Sequence, residues 1–208
     1  MIESRFERVT AFTDLVIGIL AAYIASHLGN SVGYKASIWQ WAFGLLAPAS
    51  VLGMIAHGLN ISESARESIW KPVNLLLGLT LGLFAVGATY DMWGEEIARK
   101  LLPYMIVLSF VFLGVTLFIP GTFLTFVAYE ALAMLFALGA YGVLLFRGTL
   151  PGANWMALGI IVTICASVIQ ATGKPGKSII WYFDNNGTFH LIQMAGLWLL
   201  IIGLKQSL

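Results

Sequence analysis

Charged residues make up only 10% of this chain, and cysteine occurs once. So little charge excludes a soluble domain. With 59% hydrophobic residues over 208 positions, the apolar surface exceeds what a domain of this size can hide from water, so the bilayer is its expected solvent. A formal net charge of +1 argues against a nucleic-acid partner, which demands a concentrated basic face. The single cysteine, Cys165, cannot form an intramolecular disulfide, and its place inside an apolar run predicts a packing residue. Internal repeats, low-complexity tracts and long connections are also missing, which leaves one domain over residues 1–208. The N-terminal stretch lacks the pattern of a cleavable signal: it carries Glu3, Arg5, Glu7 and Arg8, and its apolar run contains Asp14.

What the chain does have is seven apolar runs, at about 11–28, 38–60, 70–90, 101–119, 122–146, 153–172 and 187–205. Each approaches the roughly 20 residues that a membrane-spanning helix needs. The expected fold is therefore all-α, a bundle of seven transmembrane helices in a multi-pass integral membrane protein with lipids as its surroundings. Pro120-Gly121 predicts a tight turn between the fourth and fifth spans, and Pro151-Gly152 another before the sixth. Ile179-Ile180-Trp181-Tyr182-Phe183 is too short to cross and is expected to lie along the interface, followed by Asp184-Asn185-Asn186-Gly187 as turn and helix cap. The seven tryptophans fall mostly near span ends, as an interfacial aromatic belt would.

With the N-terminal side called A, odd spans run from A to B and even spans return. Arg5, Arg8, Arg66, Lys71, Lys174 and Lys177 then lie at A, and Lys35, Arg99, Lys100, Arg147 and Lys205 at B. The basic residues are balanced, so the positive-inside bias assigns no orientation.

The polar residues inside the spans are not balanced. Asp14, His57, Asn74, Glu130, Gln170, His190 and Gln193 all fall toward side A. Helical spacing groups Ser50, Gly53, His57 and Asn60 on one face of the second span, and Asn74, Gly78 and Gly82 on one face of the third. Thr163, Ser167 and Gln170 share a face of the sixth, His190, Gln193 and Gly196 one of the seventh, and Asp14, Gly18, Ala22 and Ala25 one of the first. Small residues let membrane helices approach closely, so these faces are expected to point inward. The A-side end of the fourth span, Val115-Thr116-Leu117-Phe118-Ile119, is nearly apolar and is expected to face lipid, and His27 to sit at the interface of side B. Buried Asn, Gln, Ser and Thr often only join helices. Two histidines and two carboxylates arriving from four helices at one level instead predict a functional pocket.

Two imidazoles with a carboxylate suit zinc, so His57, His190 and Asp14 form a candidate ligand set, with Glu130 as general base. Asn74 and Gln193 would orient a substrate, and Ser50, Gln170 and Asn185 complete the expected ligand-binding set. Seven spans, a histidine closing the second and one opening the seventh, with Trp181-Tyr182-Phe183-Asp184 before His190-Leu191-Ile192-Gln193, resemble the alkaline ceramidase, progestin/adiponectin receptor and Per1-like superfamily. That resemblance implies a zinc-dependent hydrolase of a lipid amide or ester, or a receptor for a lipid-like molecule. The chain departs from the superfamily pattern at Gly53, where a serine is expected, at Asn74, where an aspartate is, and at Met194, where a third histidine is. Either Asp14 or Glu130 replaces the missing ligand, or the pocket is metal-free. Arg8-Val9-Thr10-Ala11-Phe12-Thr13-Asp14 also resembles the RxxxF[ST]D signature of small bacterial and lysosomal potassium channels, over those seven residues alone. The alternative class is thus a proton- or ion-coupled transporter, channel or sensor that uses the same cluster.

Overall fold

The structure is a computed structural model that describes residues 4–119 and 122–208. Among these residues it holds seven helices: α1 (Arg5–Leu28), α2 (Tyr34–Gly58), α3 (Glu63–Trp93), α4 (Glu95–Phe118), α5 (Thr122–Arg147), α6 (Ala153–Thr172) and α7 (Asn185–Ser207). All seven are long and apolar enough to cross a membrane. The Pro120-Gly121 turn lies outside the described residues.

Helices α1, α3 and α7 begin earlier than their apolar runs, and polar side chains cap them there. Ser4 accepts from the Glu7 amide at the start of α1, and Ser62 from Ala65 at the start of α3. Asp184 accepts from Asn186 and Gly187 at the start of α7, as expected. α3 therefore runs for 31 residues, two turns beyond its apolar stretch. From that extension Arg66 donates to the Ala56 carbonyl at 2.7 Å, serving an otherwise unpaired group in the last turn of α2. Gly94 alone separates α3 from α4, at φ +87°, a conformation open to glycine.

Six helices close into a ring in the order α1, α2, α3, α5, α6, α7 and back to α1, while α4 packs outside on α3 and lightly on α5. α4 is the least buried of the seven spans, as its apolar end implied; Thr116 is the buried exception there. Glycines set the close contacts. A Cβ on Gly18 would meet the Ala47 carbonyl of α2 at 3.3 Å, and one on Gly196 would meet Thr163 Oγ1 of α6 at 2.8 Å. Gly78 and Gly82 correct one expectation: they face Phe112, Ser109 and Met105 of α4 rather than the ring interior. Their stripe seats the outer helix.

Packing differs between the two halves of the ring. The B half is filled by Ile24, Leu28, Trp39, Tyr141, Met156, Ile201 and Leu204, all fully buried or nearly so. Trp39 is thus no belt residue; it sits in the core with its ring edge-on to Phe84 at 4.9 Å. Cys165 reverses its expectation too, lying exposed on the outside of α6. The B half also buries a charged network. Lys35 Nζ lies 2.5 Å from Asp91 Oδ1 and donates to Ser207 Oγ at 2.8 Å. The Tyr141 hydroxyl donates to Asp91 Oδ2 at 2.8 Å. This network joins α2, α3, α5 and α7. The A half is not filled in this way.

Candidate functional site

A cavity of about 380 Å³ occupies the A half of the ring. All six ring helices line it and α4 does not, as follows from α4 packing outside. Its walls are apolar toward the centre, with Ile17, Phe43, Leu46, Leu81, Phe84 and Leu200. Its polar lining includes Asp14, Ser50, His57, Asn74, Gln170, Asn186 and Gln193, with Thr80, Glu130, Thr163 and His190. The residues that sequence position placed at one level therefore share one cavity. Two do not belong. Asn60 follows the last turn of α2 and is exposed. Asn185 is buried outside the lining, where its amide donates to the Gln170 carbonyl at 2.8 Å and ties α6 to α7; its neighbour Asn186 lines the cavity instead.

Two acid–imidazole pairs stand at this end. His190 on α7 reaches α1 twice: its Nδ1 is 2.9 Å from Thr13 Oγ1, and its Nε2 is 3.4 Å from Asp14 Oδ1. Thr13 Oγ1 also lies 2.8 Å from the Thr10 carbonyl and 3.0 Å from that of Val9. A hydroxyl has one proton, and both carbonyls only accept. The hydroxyl proton therefore goes to the backbone and its oxygen accepts from Nδ1–H. Nε2 is left facing Asp14 Oδ1. The second pair is His57 Nδ1 with Glu7 Oε2, at 2.7 Å. The His57 ring also stands edge-on to Trp70, with centroids 5.3 Å apart.

Glu7 was not among the expected site residues, because it precedes the apolar run. The signal was nevertheless present: Glu7 and Asp14 are seven residues apart, two helical turns, and so share a face once α1 is extended to Arg5. Gly53 also acquires a reason. A Cβ there would come within 3.0 Å of Asp14 Oδ2, so the missing side chain makes room for the carboxylate.

The expected zinc set does not assemble. Among the described residues no three His, Cys, Asp or Glu side chains are grouped to hold a metal ion. His57, His190 and Asp14 are not grouped as the three protein ligands of a zinc centre are. The donors present do not fit the metal, so no chemical step is derived through one.

Four acceptor atoms on the cavity lining are buried without a hydrogen-bond partner: Asp14 Oδ2, Glu130 Oε2, Gln170 Oε1 and Gln193 Oε1. Among the described residues no lysine or arginine lines the cavity. Buried polar atoms are nearly always paired, so four open acceptors in one cavity mark a place where something else donates.

No curated protein and no solved structure matches this chain. Over residues 9–208 the sequence matches the model of a family of unknown function, DUF6962, and the chain belongs to that family.

Proposed function

We propose that this chain is an integral membrane protein that binds a lipid-like, amphipathic molecule in the cavity at its A end. One observation carries the proposal: the cavity is polar at one end and apolar along its walls. Its volume of about 380 Å³ falls in the roughly 300–1,000 Å³ range of small-molecule sites. A headgroup would meet Asp14, Asn74, Glu130, His190 and Gln193, with its chain against Ile17, Phe43, Leu81 and Leu200. The resemblance to the ceramidase and adiponectin-receptor superfamily points the same way. Were the bound molecule an amide or ester, the His190 imidazole beside the Asp14 carboxylate would make that pair the acid–base group for its hydrolysis.

The test is equilibrium binding of a fluorescent acyl-chain probe to the protein in phosphatidylcholine nanodiscs. Saturable one-to-one binding is expected, lost when the cavity is plugged by Ser50→Phe or, as an independent plug, Ala49→Phe. Binding that persists in both folded variants would remove the proposal. Release of fatty acid from a lipid amide or ester that vanishes in His190→Gln would establish hydrolysis.

A second reading, a proton-coupled transporter, is favoured by the order of the two acid–imidazole pairs. Side-chain exposure falls from 29% at Glu7 and 17% at His57 to 10% at both Asp14 and His190, the gradient of a relay leading inward from the surface. In proteoliposomes with an internal pH dye, this reading expects proton movement that His57→Gln abolishes.

A further inference from the structure

The open acceptors of the cavity carry a statement about the ligand's headgroup, which rests on the binding function proposed above. Asp14 is 7% exposed and Glu130 is 6% exposed, and each has one carboxylate oxygen buried without a partner. They sit at similar depth, nine residues into α1 and eight into α5, or about 12–14 Å from the A-side helix starts at 1.5 Å per residue. Asp14 shares His190 through its other oxygen. Glu130 has only Ser167 of α6 beside it, and no basic side chain pairs with it among the described residues. Gln170 and Gln193 add two more unpartnered oxygens. A buried carboxylate without a counter-charge is costly, and among the described residues no lysine or arginine of the lining supplies one for Glu130.

We propose that the cavity takes an amphiphile with a primary ammonium head, paired with the open carboxylate oxygen of Glu130. The match is one of donor and acceptor count. An ammonium offers three N–H donors, a positive charge and no acceptor, against a pole of the cavity with acceptors to fill. An alcohol head brings one donor and no charge. A carboxylate head brings neither and would be repelled. A bare inorganic cation would satisfy the carboxylates but leave the apolar walls and most of the about 380 Å³ without contact.

The experiment displaces the fluorescent acyl-chain probe from the protein in phosphatidylcholine nanodiscs, using decylamine, decan-1-ol and sodium decanoate, with empty nanodiscs as the partition control. Decylamine is expected to displace the probe at concentrations at least about tenfold below decan-1-ol, the difference of one charge-assisted hydrogen bond or more. Decanoate is expected to be the weakest. In Glu130→Gln, and separately in Glu130→Met, the ratio between amine and alcohol should fall toward one. Two variants are used so that a folding defect in either leaves the other as the test. Equal displacement by amine and alcohol in the unaltered protein, an amine preference that survives in both variants, or release of the probe by sodium chloride as effectively as by decylamine would overturn the headgroup assignment and leave the binding function standing. Failure of the probe itself to bind would instead remove the binding function.

Discussion

The two halves of the ring both bury charge, and they treat it in opposite ways. At the B end, Lys35, Asp91, Tyr141 and Ser207 satisfy one another across four helices inside a filled core. At the A end, Asp14 and Glu130 are buried as deeply beside a cavity, with oxygens that nothing in the lining serves. Burial alone therefore does not distinguish a site from a structural tie. The distinguishing feature is an ionisable group left unpaired beside a cavity. A closed network holds helices together, whereas an open one beside a cavity waits for a ligand, at some expense in stability.

The largest effects that separate the two ends belong to B. Removing one partner of the buried pair, as in Lys35→Met or Asp91→Leu, should lower stability by about 3–5 kcal/mol, because the other charge is left unpaired. The double substitution should recover most of that loss, since an apolar pair of similar size needs no partner. Unfolding in mixed micelles followed by tryptophan fluorescence would measure the cycle, and additive losses would show that the two residues do not act as a pair.

An intermediate effect is expected where the two ends are linked by packing. Gly53→Val would drive methyl groups into the space of the Asp14 carboxylate. A cost of about 1–3 kcal/mol should follow from the overpacking, together with weakened probe binding as Asp14 moves. A variant with full stability and full binding would show that the close approach of Gly53 and Asp14 has no role. The smallest effect belongs to Glu130→Gln. It removes a charge that no basic group opposes, so stability should change by less than about 1 kcal/mol, even as the amine preference is lost.

These contrasts also explain what could be read before the fold was in hand. Seven apolar runs made the seven helices legible, because spans of that length and composition have few alternatives. Asp14, His57, Glu130 and His190 stood out as ionisable groups in apolar runs, and chain alternation put them at one level. Glu7 was hidden because helix α1 starts six residues before its apolar run, so a residue of the helix face read as part of a polar terminus. Lys35 and Asp91 were hidden for the opposite reason: charges at span ends look interfacial, and only tertiary packing buries them against each other. Gly78 and Gly82 mark close helix contact, but spacing cannot say with which helix, and the partner proved to be α4 outside the ring. Trp39 near a span end matched a belt position equally well in lipid or in core, and Gly87 of α3 leaves room for its ring. Residue type and depth do not specify where each imidazole nitrogen points, so the sequence left zinc and a metal-free pocket as alternatives.

The most direct measurement compares Asp14→Asn with Asp91→Asn, the same chemical change at the two ends, in one thermal-unfolding experiment on protein free of added ligand. The account predicts a lower midpoint for Asp91→Asn, which leaves Lys35 without its counter-charge, and a midpoint for Asp14→Asn equal to or above that of the unaltered chain. A fall for Asp14→Asn as large as that for Asp91→Asn would contradict it, because both carboxylates would then be parts of the scaffold.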